Sequence, residues 1–294
     1  MYLIIGAGGF LGSYLIKNIL AETEDNILAT DMFVPSAPSS DRVQWKKCDI
    51  TSREDLQNLN EEVKASDHLK VVYLAAYHHP DKVLQNPRLA WNINITALSE
   101  FLNTIENIET LYYPSTEVVY GQGVEGHKFT ENDPLNPSNR YGEHKTVAER
   151  MVNVAGFNVV RFPVLMGPSL ALGKKHFYDE IRQTLEQGND IEMFTDNLRS
   201  MIDFDTAARM VVRLIETPSA RSAKIVNIAG DEALSKYEFA CRLAAKYNLD
   251  KKHIIPISMD DDNKIFTAKR SKETLLDNSL LKQLLNLSEL KIKI

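Results

Sequence analysis

The chain has 294 residues, 44% of them hydrophobic and 25% charged, with a formal net charge of −6 and a sequence pI near 5.7. That balance suits a globular chain of one large two-layer unit or two lobes, and it speaks against a nucleic-acid platform or a cationic membrane face. Cys48 and Cys241 are the only cysteines, so there is no disulfide framework and no zinc spacing; no apolar run is long enough to span a bilayer.

Residues 1–5 form a short apolar run that leads into Gly6, Gly8, Gly9 and Gly12, and residues 13–20 read as an amphipathic helix. Strand, glycine turn and helix in that order predict a pyrophosphate cradle. Gly6 permits the tight turn, Gly9 with Gly8 lets backbone approach the phosphates, and Gly12 lets the helix pack on the strand; Phe10 and Leu11, between the glycines, are counted with them as cofactor-binding. Free N–H groups and partial positive charge at the helix N-terminus favour the anion. Because the sequence opens on this strand, with no basic and apolar leader pattern, a cytoplasmic location is expected.

The next strand, 26–31, ends in Asp31, nineteen residues beyond Gly12. A carboxylate there accepts from both adenosine-ribose hydroxyls and repels a 2′-phosphate. No base stands in Met32-Phe33-Val34-Pro35, so the expected cofactor is NAD rather than NADP; a strand-end cap is the other reading of Asp31. A third strand, 43–48, runs into Asp49-Ile50-Thr51-Ser52. Thr51-Ser52 reads as a helix cap; Asp49 either faces the adenine edge or only caps, and Ile50 beside it is counted with the cofactor-binding residues.

Strands near 70–75, 109–115, 157–163 and 224–229 alternate with helical patterns, which predicts an α/β fold with a Rossmann-type doubly wound parallel sheet. Ala75 and Ala76 end the fourth strand, and loops are expected at 35–41, 121–137 and 167–175. Beyond Pro168 the pattern shifts to helices and short segments. The expected division is a dinucleotide-binding domain over 1–168 with a return around 205–230, and a smaller substrate-binding lobe from 169–204 and 231–294. Ligands in such folds sit at the carboxyl ends of the strands. Thr116 stands at such an end, in Pro114-Ser115-Thr116-Glu117-Val118-Val119-Tyr120-Gly121. Twenty-five residues later, Tyr141-Gly142-Glu143-His144-Lys145 places a phenol and an amine on one helical face. A phenol ionises near pH 10 (roughly), and a neighbouring ammonium would bring Tyr141 closer to acid/base chemistry. Taken alone, that spacing is also the spacing of a surface pair.

The glycine motif, Asp31, Ala75-Ala76, Asn92-Ile93-Asn94-Ile95-Thr96, the segment from Ser115 to Gly121, and Tyr141 with Lys145 resemble the extended short-chain dehydrogenase/reductase family, in register over nearly the whole chain. The resemblance implies that Tyr141 moves the proton on a substrate oxygen. Lys145 would hold the nicotinamide ribose and keep Tyr141 acidic, and Thr116 would bond the same oxygen, while hydride transfer is the cofactor's chemistry. It implies a nucleotide-sugar substrate met by His78, Asn92, Thr116, Glu117 and Arg199, with Arg199 on the diphosphate. A surface salt bridge is the other reading of Arg199, and a polar turn that of His78-His79-Pro80. The run from Arg161 to Pro168 resembles the family's segment after the sixth strand, and Asp205, like Arg199, resembles its substrate-lobe return. A homodimer is implied through helices around 89–105 and 140–154. Asp260-Asp261-Asp262 lacks ligand spacing and reads as a solvated loop. No metal site is expected, and Trp45 and Trp91 carry no signal beyond packing.

Departures from the family's patterns bear on the reaction. Sugar-nucleotide 4,6-dehydratases carry Thr-Asp-Glu where this chain has Thr116-Glu117-Val118, so a second acid for elimination is missing. An acid after the hydroxyl residue, and Val164 where epimerases place Asn, are closer to dTDP-4-dehydrorhamnose reductases, as is the looser tail from Ala268 to Asn278. The glycine arrangement and Val119-Tyr120-Gly121 look more like an epimerase. The expectation is therefore an active NAD-dependent oxidoreductase, a nucleotide-sugar 4-keto reductase. A 4-epimerase is the first alternative. A non-catalytic dinucleotide-binding regulatory subunit, a kind of partner found among relatives of the reductase, is the alternative from another class.

Overall fold

The computed structural model describes residues 1–34, 40–260 and 265–294. Residues 35–39 of the expected 35–41 loop, and Asp261 and Asp262 of the acidic run, lie outside the described residues. Seven strands, β1 (Tyr2–Ile5), β2 (Ile27–Asp31), β3 (Val43–Lys47), β4 (Leu69–Tyr73), β5 (Ile108–Thr116), β6 (Asn158–Phe162) and β7 (Ile225–Asn227), make one sheet. Their order is β7-β6-β5-β4-β1-β2-β3, and all neighbours are parallel. β1 and β6 are buried at every position, as expected of strands covered on both faces. This is the α/β, doubly wound architecture read from the sequence. The chain order reverses between β1 and β4, and a crevice opens there at the carboxyl ends.

Side chains alternate across β1, so each face builds its own core. Tyr2 and Ile4 pack with α1 (Phe10–Glu22) and α8 (Phe204–Glu216) through Leu15, Ile19, Val211 and Leu214. Leu3 and Ile5 pack with α2 (Arg53–Val63), α5 (Ala97–Thr104) and α6 (Arg140–Val154) through Leu56, Leu59, Leu98, Phe101, Ala148 and Val152. Between α2 and α5 the chain forms α3 (Pro80–Gln85), α4 (Pro87–Trp91) and a π-helical turn (Asn92–Thr96). Asn139 starts α6 by accepting from the Gly142 N–H at 3.1 Å, and this N-cap sets Tyr141 in the first turn.

A smaller lobe has its own core of Tyr178, Ile181, Leu185, Phe239 and Leu243, from α7 (Phe177–Glu186) and α9 (Lys236–Tyr247). A parallel pair, Ile191–Phe194 with Ile254–Ile257, completes it. A three-stranded sheet of Leu198–Arg199, Glu273–Leu276 and Lys128–Phe129 ties the lobe to the segment after β5; the last helix is α10 (Ser279–Leu285). No helix among the described residues is long and apolar enough to cross a membrane.

Candidate dinucleotide and ligand site

Two of the glycines are required by the fold itself. Gly6 has φ +82°, and a Cβ on it would lie 2.8 Å from the Ala75 nitrogen; a Cβ on Gly12 would lie 2.3 Å from the Ala7 carbonyl oxygen. The first contact brings the ends of β1 and β4 together, and the second seats α1 on the turn. Gly9 is different. Its φ of −86° suits any residue, and the nearest atom to an added Cβ is the Gly6 oxygen at an ordinary 3.5 Å. Internal packing therefore does not require a glycine at 9, and its missing side chain leaves room for an approach from outside. Gly9 is the N-cap of α1 and supplies no side-chain cap, so the first-turn N–H groups, those of Phe10 and Leu11 among them, lack a side-chain acceptor. Room plus orphan donors fit a pyrophosphate.

Asp31 closes one side of this cradle. Its carboxylate accepts from Gly8 N–H at 3.0 Å and from Phe33 N–H at 3.3 Å, which fixes an acid where an adenosine ribose would lie. Ala75, half-buried like Ala76 beside it, meets Gly6 just past the end of β4. The Asp49 carboxylate accepts from the Thr51 N–H at 2.9 Å and its hydroxyl at 2.7 Å, so it caps a turn; Ile50 beside it is buried. The Phe10 ring lies edge-on to His176 at 5.0 Å and tilted to Phe204 at 6.0 Å, which joins the glycine turn to the lobe boundary. Lys174 donates to the Gly8 carbonyl at 2.7 Å, a cation at the cradle that sequence reasoning missed, since Gly173-Lys174-Lys175 is a generic loop composition.

Tyr141, Lys145, Thr116, Glu117 and Arg199 converge at the same carboxyl edge, but their interactions differ from the expected ones. Lys145 donates to the Tyr113 hydroxyl at 2.9 Å and the Pro114 carbonyl at 2.7 Å, and its Nζ stands 6.0 Å from the centroid of the Tyr141 ring. Burial pushes the Lys145 ammonium down to about 7, with Glu149 opposing. Burial and then the Glu117 charge push the Tyr141 phenol up, the reverse of the acidic phenol expected from the i, i+4 spacing. The lysine that was to supply the field is drawn to β5. Thr116 Oγ1 accepts from the Val118 N–H at 3.3 Å and so caps the turn after β5.

Arg199 is buried, with Glu117 as its ion-pair partner at 3.2 Å. Its Nη1 donates to the Leu198 and Lys272 carbonyls at 2.7 and 3.0 Å, and its Nη2 to Ser271 at 2.8 Å. Four of a guanidinium's five N–H donors are thus in use, so in this conformation Arg199 presents little to a diphosphate and pairs internally, in the core rather than on the surface. The 267–272 strap is also held from the opposite wall. The Asp81 carboxylate accepts from the Thr267 and Ala268 N–H groups at 3.2 and 2.6 Å and from Arg270 at 3.1 Å, while Asn139 donates to the Lys269 carbonyl at 2.9 Å.

His78 and Asn92 are exposed. The buried member of the Asn92-Ile93-Asn94 run is Asn94. Its Oδ1 accepts from the Tyr77 N–H at 2.7 Å and its Nδ2 donates to the Tyr77 carbonyl at 3.1 Å. The π-helical phase decides which asparagine turns inward, and residue spacing alone does not reveal it. Beneath the site, Glu149 receives two donors of Arg161 at 3.0 and 2.6 Å and the hydroxyl of Ser115; Arg161 also donates to Tyr120 Oη at 2.6 Å. Asp205 lies in the first turn of α8, paired with Lys17 at 2.8 Å.

A doubly wound sheet with a glycine turn at its switch point, and a Tyr/Lys helix and a small lobe over its carboxyl edge, defines an extended short-chain dehydrogenase/reductase. Within that class the chain belongs to the RmlD substrate binding domain family, whose model matches residues 1–292. Among solved structures it is similar to dTDP-4-dehydrorhamnose reductase from Bacillus anthracis, in complex with NADP, at 20% identity and TM-score 0.80 over 99% of this chain and 94% of that one. It is also similar to UDP-glucuronic acid 4-epimerase from Bacillus cereus, in complex with UDP-glucuronic acid and NAD, at 22% identity and TM-score 0.81 over 98% and 93%. At these identities the likeness is one of fold.

Among curated proteins it is 29% identical over 223 residues to methionine adenosyltransferase 2 subunit beta of Bos taurus, covering 73% of this chain and 64% of that protein. Further vertebrate sequences of the same name match, as far as Danio rerio at 25%. The matched region spans less than two thirds of the bovine relative's length. These relatives correct the expectation of an active oxidoreductase: the name they share is that of a subunit of another enzyme, a methionine adenosyltransferase, and it names no oxidoreductase.

Proposed function

We propose that this chain is a dinucleotide-binding regulatory subunit that acts on a partner enzyme and turns over no substrate of its own. The observation that carries the reading is the contrast between cradle and catalytic edge. Gly9 keeps room that its own packing does not use, while Lys145 is held by Tyr113 and Pro114 and Arg199 by Glu117 and the Ser271 carbonyl. The ligand is NAD rather than NADP, because the Asp31 carboxylate on the Gly8 N–H would repel a 2′-phosphate. The lobe above the crevice can hold the nucleotide-sugar class of ligand without reaction. The shared name of the relatives makes the catalytic chain of a methionine adenosyltransferase the partner to try first.

The test is calorimetric titration with NADH and NADPH, followed by incubation with NADH and a panel of dTDP- and UDP-keto-sugars. Saturable NADH binding, weaker NADPH binding and no NADH consumption are expected. Stoichiometric NADH consumption, or epimer formation, would overturn the proposal. Replacing Asp31 with Gly and Met32 with Arg should move preference toward NADPH; an unchanged preference removes Asp31 from the ribose.

A further inference from the structure

A groove of about 550 Å³ lies on the α4–α6 face, lined by Arg88, Trp91, Arg140, Glu143, His144 and Val147 among others. Its surroundings are apolar and open: Trp91 is 48% exposed, Leu89 48%, Leu84 38% and Val147 38%. Among the described residues neither the Arg88 nor the Arg140 guanidinium has a carboxylate or hydrogen-bond partner. Glu143 shares the rim without pairing to either. On a chain of net charge −6, this is a local cationic rim around an apolar floor. Trp and Arg in that arrangement are the residue types on which binding energy concentrates.

The groove is wired to the crevice. The Trp91 ring meets His144 edge-on, 5.5 Å between centroids. Tyr77's N–H fixes the Asn94 amide so that Nδ2 faces both the Tyr77 carbonyl and His144 Nδ1, the latter at 3.4 Å. Tyr77 follows Ala75-Ala76, and His144 precedes Lys145. Asn94 itself sits in the π-helical turn, a deformation that often accompanies function.

We propose that this groove docks a segment of the partner enzyme in which one apolar side chain is flanked by carboxylates, and that docking is coupled to dinucleotide occupancy through Trp91, His144, Asn94 and Tyr77. The inference rests on the regulatory-subunit reading and specifies its surface. Charge selects the occupant. Carboxylates complement Arg88 and Arg140, whereas the homodimer that the family resemblance implies on these same helices would bring the patch against itself, with one rim carboxylate, Glu143, for two arginines in each copy. The face is therefore assigned to the partner instead. Coupling is reciprocal, so whatever dinucleotide does to docking, docking does to dinucleotide affinity.

Anisotropy titrations with the full chain test this. The probes are fluorescein-labelled octapeptides holding one leucine or phenylalanine between acidic residues, and the controls carry lysines in place of the acids. The acidic set is expected to bind and the basic set not to. Trp91→Ala, and Arg88→Glu with Arg140→Glu, should each weaken binding at least about tenfold with thermal stability unchanged. Saturating NADH should shift the affinity of the acidic set by about fivefold or more, and Asn94→Ala should abolish that shift while docking persists. Equal binding of both sets, no binding of the acidic set, or indifference to the groove substitutions would overturn the docking site. So would a dimer in light scattering that Val147→Glu dissolves, because the groove would then belong to a second copy. NADH binding is measured separately. If NADH binds and the peptides do not, the docking site falls and the subunit's dinucleotide reading stands. If NADH fails to bind, that reading falls and the coupling with it.

Discussion

Replacing Lys145 with methionine separates what the lysine costs the fold from what it offers a ligand. The side chain is 5% exposed, and burial lowers its ammonium from 10.5 to about 7. The unfolded chain therefore binds one more proton than the folded chain between those two values, and stability rises with pH across that window. Below about pH 7 both states carry the proton and the whole penalty stands; above about pH 10.5 neither does and it vanishes. At about 1.4 kcal/mol for each pH unit between the two values, the penalty is on the order of 5 kcal/mol. Methionine removes it but also removes the bonds to Tyr113 Oη and the Pro114 carbonyl, leaving buried acceptors unpaired at about 1–3 kcal/mol. Lys145→Met should thus be more stable than wild type by about 2–4 kcal/mol near pH 6, and roughly equal to it near pH 9.5. Urea melts at both pH values, read by linear extrapolation, measure the difference. A difference that does not change with pH would refute the buried-charge argument, whatever its size.

Other substitutions probe the cradle, the buried pair and the strap. Gly9→Ala should leave stability within about 0.5 kcal/mol of wild type or slightly above it, yet weaken NADH binding at least about tenfold, since its Cβ enters only the ligand's space; undiminished NADH affinity would move the pyrophosphate elsewhere. Gly12→Ala should instead destabilise the fold by about 1–3 kcal/mol or more, because its Cβ meets the Ala7 backbone at 2.3 Å, and a chemical melt reads it. Arg161→Met strands the Glu149 charge in the core and should cost about 3–5 kcal/mol; a cost under about 1 kcal/mol would refute the stranded-charge argument. Asp81→Asn weakens the anchor of the strap, and faster hydrogen exchange at 267–270 with the β1–β7 core unchanged is the expected signature.

Much of the architecture was legible in the sequence because it rests on local periodicity. The seven sheet strands, the glycine turn after residue 5, and the helix carrying Tyr141 and Lys145 follow from apolar runs, turn residues and helical spacing, and Asp31 follows from its distance to Gly12. Thr116 was legible as a strand end at the carboxyl edge, whereas Glu117, Tyr141, Lys145 and Arg199 were assigned to the same site by the family resemblance. Tertiary structure alone decided the interactions of those side chains. Lys145 turns to Tyr113 and Pro114, Glu117 neutralises Arg199, and the π-helical turn buries Asn94 and exposes Asn92. Such pairings join residues up to 82 positions apart and depend on which polar groups burial leaves in need of partners. Motif spacing records which functional groups a chain carries, and burial, through desolvation and long-range pairing, determines whether those groups remain available to a ligand.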